Sequence, residues 1–188
     1  MKNKRCRWAE NEIALYQDYH DHEWGIPVHD DRHLFEMLIL EGFQAGLSWL
    51  TILKKREAFR EAFDGFNPEI IKDYTQEKID ILKQNEGIVR NKLKIAAAIT
   101  NAKVFLDIVK QWESFDAYLW HFTKGRVVLN NQPPFQVTTP LSDEISKDLK
   151  KRGMKFVGST IIYAYLQAVG VVNSHEPECY LHHHDEIG

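Results

Sequence analysis

What the chain has little of narrows the field first. No apolar run approaches the ~18 residues of a membrane-spanning helix, and the opening MKNKRCRWAENE lacks the apolar stretch of a secretory leader. A soluble, cytoplasmic protein with no membrane partner is expected. Positive charge is not in excess, because 24 Lys and Arg face 27 Asp and Glu for a formal net charge of −3. Bulk attraction to polyanions is excluded, so any nucleic-acid partner must be met by basic residues gathered on one face. Cysteine is scarce, with only Cys6 and Cys179 at opposite ends of the chain. A cytoplasmic setting disfavours a disulfide between them and leaves metal binding as the competing explanation. Extended segments are scarce too. Only Arg126 to Pro140, with Val127-Val128-Leu129 and Pro133-Pro134, interrupts the helical trend, and it reads as an extended loop rather than a sheet. With no repeat, no low-complexity tract and too few strands for a β layer, the class is all-α.

What is present is a core. The 188 residues are 44% hydrophobic and 12% aromatic, which suits one domain of two helical lobes sharing an interior. Ile13, Tyr16, Tyr19 and His20 fall on one side of a short first helix that closes at Gly25 and Pro27. Asp30 or Asp31 caps the next helix. Asn67-Pro68-Glu69 and Thr75 start two short ones. The longest pattern, Ile95, Ile99, Ala102, Leu106 and Val109, predicts a buried central helix, and Ser114 caps a further one with Phe115, Tyr118, Leu119 and Phe122 inward. Ser142 is read as the start of the penultimate helix.

Three groups of residues carry chemistry. From Leu34 to Arg56 two apolar helical runs flank a break at Gly42-Phe-Gln-Ala-Gly46, with Ser48 as the second N-cap. Glu41 ends the first run and Trp49 lies about one turn into the second. A carboxylate at a helix C-terminus sits on the wrong end of the dipole, which marks Glu41 either as a functional group or as a side chain turned to water. Near the C-terminus, two helices over about 142–169 flank the turn Gly153-Met-Lys-Phe-Val-Gly158. Lys147, Lys150, Lys151, Arg152 and Lys155 surround that turn. The pattern suits a helix-hairpin-helix whose backbone N–H groups approach a phosphate, and equally an ordinary αα-hairpin with a solvated basic face. Finally, Cys6 and His20 near the start and His175 and Cys179 near the end make a closed tetrahedral zinc set that would staple the termini. His-x3-Cys is expected to place its ligands on one face within a helical turn. His182, His183 and His184 are read as a disordered tail.

These residues resemble the 3-methyladenine DNA glycosylase I family of the helix-hairpin-helix superfamily. The matching segments are Cys6-Arg-Trp8, Tyr19-His20-Asp-His-Glu23-Trp24-Gly25-Ile-Pro27, Leu34-Phe-Glu-Met, Leu40-Glu41-Gly, Gln44-Ala-Gly-Leu-Ser-Trp49, Leu53-Lys-Lys-Arg56 and Lys151-Arg-Gly-Met-Lys-Phe-Val-Gly158. The resemblance spans nearly the whole chain. It implies action on double-stranded DNA containing alkylated purines, and one structural zinc on Cys6, His20, His175 and Cys179; a monomer is the default expectation. Glu41 and Trp49 match the carboxylate and stacking ring of the base pocket, lined by Tyr19 and Trp24 with Trp8 nearby. Gly46 and Leu47 match the tip that fills the gap in the duplex, and Gly153, Lys155, Val157 and Gly158 match the phosphate-binding hairpin.

Two absences imply hydrolysis without strand cleavage. No Asp or Glu lies between Ser159 and Ser174, and the hairpin has no lysine where bifunctional superfamily members place their Schiff-base nucleophile, although Lys155 inside the turn keeps that point open. One departure is Ser174, where the family usually has an acid just before the third zinc ligand. Two other readings compete: a zinc-stapled binder without catalysis, and a zinc hydrolase using metal-bound hydroxide. Neither explains aromatic residues gathered around one carboxylate.

Overall fold

The computed structural model describes residues 4–11, 13–130 and 136–182. Its helices run in chain order as α1 (Ala14–His22), α2 (Asp31–Gln44), α3 (Trp49–Ala62), α4 (Pro68–Ile71), α5 (Gln76–Leu82), α6 (Lys92–Trp112), α7 (Phe115–His121), α8 (Pro140–Lys151) and α9 (Ser159–Ala168). The all-α class holds. The helix buried on every side is α2, whose residues from Leu34 to Phe43 are all shielded from water. The sequence assigned that place to α6, which is instead amphipathic. It turns Ile95, Ala98, Ala102, Phe105 and Ile108 inward and keeps a wet outer face. Periodicity finds a helix with two faces more readily than one apolar all round. α3, α6, α7 and α9 pack around α2, and one continuous apolar core reaches from Leu34 to Val172.

Polar caps set the helix starts. Asp30 accepts a hydrogen bond from His33 N at 2.7 Å, Ser48 from Thr51 N at 3.2 Å and Ser114 from Ala117 N at 2.9 Å. Asp31 has a different task. Its carboxylate accepts from Phe115 N and Asp116 N, at 2.9 and 2.8 Å, and so fastens the start of α7 to the start of α2. The penultimate helix begins two residues earlier than read, at Pro140. Thr139 is its N-cap, and Ser142 closes the reciprocal capping box onto Thr139 N.

Two further readings are corrected. Arg126 to Pro140 is not wholly a loop: β1 (Val128–Leu129) pairs in parallel with β2 (Val172–Asn173), in the register Val128↔Val172 and Leu129↔Asn173. A two-residue ladder has no period to detect, and tertiary contact alone creates it. His182 is not a free tail, since it is half-buried with Nδ1 2.7 Å from His175 O. Pro133-Pro134, His183 and His184 lie outside the described residues.

The turn between α8 and α9 is held from two sides. Asn101 of α6 donates to Lys155 O at 2.9 Å and accepts from Lys155 N at 2.8 Å, while Ser146 donates to Val157 O at 2.7 Å. The far end of α9 grips the segment that follows α1, through Gly25 N to Gln167 O and Val28 N to Val169 O, each 3.1 Å. Backbone approaches backbone so closely there that a Cβ on Gly170 (φ +72°) would lie 2.3 Å from the carbonyl carbon of Ile26. Gly170→Ala is therefore expected to lower unfolding free energy by at least about 2 kcal/mol, through strain and steric conflict together. Urea titration of the two proteins measures it, and equal midpoints would refute the close approach.

Candidate active site

A cleft of about 1070 Å³ opens between α1, the α2–α3 corner, α9 and the segment after β2. Trp8, Tyr19, Trp24 and Trp49 form its aromatic walls, and Glu41 is the carboxylate among them. Tyr19 and Trp49 face each other with ring centroids 5.6 Å apart, and Trp8 lies 6.3 Å from Tyr19 and 5.1 Å from Trp24. The five side chains that the sequence analysis grouped as a base pocket thus line one cleft, together with Tyr16. Trp49 is the first residue of α3 rather than a turn inside it. Gly42 belongs to the last turn of α2, so the break starts after Gln44.

Glu41 is only 4% exposed, and no hydrogen bond or ion pair to its carboxylate exists among the described residues. Burial alone pushes its pKa up to about 8. The side chain turned to water is therefore excluded. Burial first, then the Glu41 and Glu23 carboxylates, raises the Tyr19 hydroxyl well above its ordinary value, so it stays protonated beside Glu41. Trp49 Nε1 is also buried without a hydrogen-bond partner among the described residues. A desolvated acid and an unsatisfied indole donor in one aromatic cleft suit a flat polar ligand with both donors and acceptors on its edge.

The corner is braced by an ion network that sequence reading missed. Arg56 of α3 donates to Glu23 at 2.6 Å, just beyond α1, and to Glu36 of α2 at 2.6 Å. Arg60 adds a second cation to Glu36 at 2.8 Å. Burial would raise Glu23, but hydrogen bonds from His33 and Arg56 hold it down at about 2. Four charges in or beside helical apolar runs look like solvated faces in a sequence, and only the packing shows that they meet.

Beside the cleft, the donor atoms of Cys6, His20, His175 and Cys179 all lie within 4.8 Å of one another, and all four residues are buried. Cys6 Sγ is 3.5 Å from His175 Nδ1, and Cys179 Sγ is 3.5 Å from His20 Nε2 and 3.6 Å from His175 Nδ1. The S–N edge of a tetrahedron around zinc is about 3.6 Å from ordinary bond lengths, so the donor set fits such an ion. His20 Nδ1 meets Asp21 at 2.9 Å, and Arg5 clamps Asp21 in turn. His175 and Cys179 sit in a loop with turns rather than on a helix face as expected. Trp24 packs on both imidazoles, with its centroid 4.7 Å from that of His175 and 6.2 Å from that of His20.

At the cleft mouth the chain from Ala45 to Ser48 forms an exposed tip. Gly46 has φ +85° and no atom that a Cβ would touch, and Leu47 is 39% exposed. Lys155 is exposed on the α8–α9 turn, whereas the Val157 side chain is buried, which leaves only its amide to face a partner. Ser174 lines the cleft and accepts from Asn130 Nδ2 at 2.9 Å.

Residues 8–183 match the family model described as methyladenine glycosylase. The DNA-3-methyladenine glycosylase of Haemophilus influenzae is 44% identical over 178 residues, 93% of this chain and 96% of that one. DNA-3-methyladenine glycosylase 1 of Escherichia coli is 44% identical over 185 residues, 94% and 95% of the two chains. A crystal structure of 3-methyladenine DNA glycosylase I superposes with a TM-score of 0.90 at 46% identity, covering 95% of this chain and 100% of that one. A tyrosine-to-phenylalanine variant of 3-methyladenine DNA glycosylase I in complex with 3-methyladenine superposes at 0.89, with 35% identity over 94% and 96%.

The desolvated carboxylate has a thermodynamic signature. In the unfolded chain Glu41 ionises near its ordinary value of 4.5, whereas the folded protein holds the proton up to about 8. Stability from this group is intact below 4.5, falls as pH rises between those values, and levels off above 8. The loss is of order 5 kcal/mol. Glu41→Gln is therefore expected to be more stable than wild type at pH 8.5, with the gap closing toward pH 5. Denaturant unfolding across that range measures it, and a gap independent of pH would exclude a desolvated acid.

Proposed function

The chain belongs to the methyladenine glycosylase family, and from that premise we propose that it hydrolyses the N-glycosyl bond of 3-methyladenine in alkylated duplex DNA after turning the damaged nucleotide out of the helix. The observation that carries this reading is Glu41, a carboxylate without a partner in an aromatic cleft. Methylation at N3 makes the nucleotide's purine cationic. A cation stacking on the face of Trp49 meets an electron-rich ring and, by its charge, favours ionisation of the Glu41 carboxyl that burial otherwise keeps protonated. Neutral adenine offers neither gain, and it leaves a buried charge unmatched if Glu41 stays ionised. Selection thus rests on charge, and extrusion costs least for a base already weakly paired.

The chemistry asks little more of the protein. The C1′–N9 bond breaks with its electron pair going to the purine, which leaves as neutral 3-methyladenine. Water adds its oxygen to C1′ and gives up one proton. No leaving-group protonation is needed, and Glu41, once ionised opposite the cationic base, favours the positive charge that builds on the sugar. No side-chain amine attacks C1′, so the product is an abasic site on an intact strand.

DNA is met, on this reading, by the α8–α9 turn as a helix-hairpin-helix and by the tip. The backbone N–H groups of Phe156, Val157 and Gly158 have no acceptor among the described residues, and α9 begins directly after them. Such N–H groups at a helix N-terminus suit a phosphate. Lys155 adds its charge, and Gly46 and Leu47 enter the space left by the extruded base. One structural zinc on Cys6, His20, His175 and Cys179 ties the two ends of the chain behind Trp24, with no open position for water.

Wild-type protein is expected to release 3-methyladenine but not 7-methylguanine from alkylated duplex DNA, without nicking it, and Glu41→Gln to lose roughly 100-fold. Chromatography of released purines decides the matter. Folded wild type that binds DNA but releases nothing would favour a binding module. For the metal, one zinc per chain is expected by atomic emission. Its chelation should lower the unfolding temperature by more than 10 °C, roughly the effect of a few kcal/mol in a chain of this size. Loss of turnover by chelation at unchanged stability would favour a zinc hydrolase instead.

A further inference from the structure

Lys94, near the start of α6, is 8% exposed, and no carboxylate pairs with it among the described residues. Its Nζ donates instead to Phe43 O at 2.8 Å and to Ala45 O at 2.7 Å. Phe43 O is one of the carbonyls that the end of α2 leaves open, and Ala45 is its cap residue. A cation here also complements the negative end of the helix dipole. The tip beyond it is otherwise tied only to itself, by Leu47 N to Gln44 O at 2.7 Å and Gln44 Nε2 to Leu47 O at 3.1 Å. Among the described residues, Lys94 makes the only hydrogen bond from elsewhere in the chain that reaches residues 44–47. Its ammonium also lies 6.0 Å from the ring of Phe156 in the α8–α9 turn. Burying an ammonium against carbonyls alone is costly, and general stability would be served better by an apolar side chain. Nor does Lys94 ionise Glu41, which responds to burial alone.

We propose that Lys94 is a positioning residue for the tip: it locks the backbone from Phe43 to Ala45 so that Gly46 and Leu47 are set to enter the duplex before DNA arrives. This rests on the glycosylase reading and concerns extrusion, not recognition of the base. Misplacing a group by about 1 Å far from the chemistry can cost on the order of 100-fold. The loss should appear only where there is a gap to fill.

The test compares wild type with Lys94→Met in three assays: single-turnover release of 3-methyladenine from duplex DNA, the same release from single-stranded DNA, and binding of free 3-methyladenine by tryptophan fluorescence. The expected result is a loss of about 30-fold or more on duplex, with single-strand release and free-base binding within about threefold of wild type. Equal losses in all three assays would make Lys94 merely structural, and an unchanged duplex rate would show that the tip needs no lock. Either overturns the proposal. If Lys94→Met does not fold, Lys94→Gln is used with amide exchange at Gly46 and Leu47 as a second readout, and faster exchange is expected there. A Gln variant that also fails to fold, or whose tip is as protected as wild type, overturns it as well. Wild type that releases no base from any DNA would sink the glycosylase reading itself, whereas active wild type with an equally active Met variant sinks only the role of Lys94.

Discussion

A carboxylate held out of water with nothing to pair with it is the constraint the rest of the molecule answers to. Glu41 lies on the one helix that is buried all round, and its desolvation works against folding whenever the pH favours ionisation. Such a group survives only where the surrounding packing over-determines its position. The surroundings do so here. Phe35 and Phe43 of the same helix are locked by Phe105 and Phe59 at ring distances of 4.9 Å, and Tyr165 donates to Leu34 O at 3.1 Å. The helix cannot rotate to carry Glu41 out of the cleft wall without breaking those contacts.

Position also depends on angle. The distance from Glu41 to Trp49 is a property of the corner between α2 and α3, which apolar packing alone would define loosely. Arg56 and Arg60 reach back across that corner to Glu36, and Arg56 continues to Glu23 at the end of α1. Directional ion pairs of low exposure fix an angle better than side-chain volume does, because each has one geometry in which all its hydrogen bonds are met. At the opposite wall Cys6 and Cys179, far apart in sequence, are buried side by side with His20 and His175, next to the loops that carry Trp8 and Trp24.

Sequence reading reached far where its signals are local or chemical. Ser48, Asn67, Thr75 and Ser114 cap the helices expected of them, because a cap is decided within four residues. The quartet of Cys6, His20, His175 and Cys179 was found because thiols and imidazoles in a cysteine-poor chain have few other uses. What escaped was relational. Lys94, Arg56 and Asn101 are ordinary helix residues whose meaning comes from partners tens of positions away. The β1–β2 ladder has no local signature, and α2 conceals its central place because a helix buried all round has no polar face for periodicity to detect.

The acidic balance of the chain is consistent with a DNA partner once the charges are sorted by what they already hold. Lys72, Lys78, Lys83, Arg5, Arg56 and Arg60 are committed to carboxylates within the protein. Lys147, Lys150 and Lys151 share one side of α8, with Lys155 in the turn beyond. All four are exposed and enter no ion pair among the described residues. Arg152 stands among them but is engaged by Asp148 at 2.6 Å, so it orders the end of α8 rather than adding to the patch. Long-range fields count net charge, but a phosphate a few ångströms away counts only the cations free to meet it, since salt screens the rest beyond about 10 Å. A chain that is negative as a whole therefore presents a positive edge beside the turn whose amides lie open.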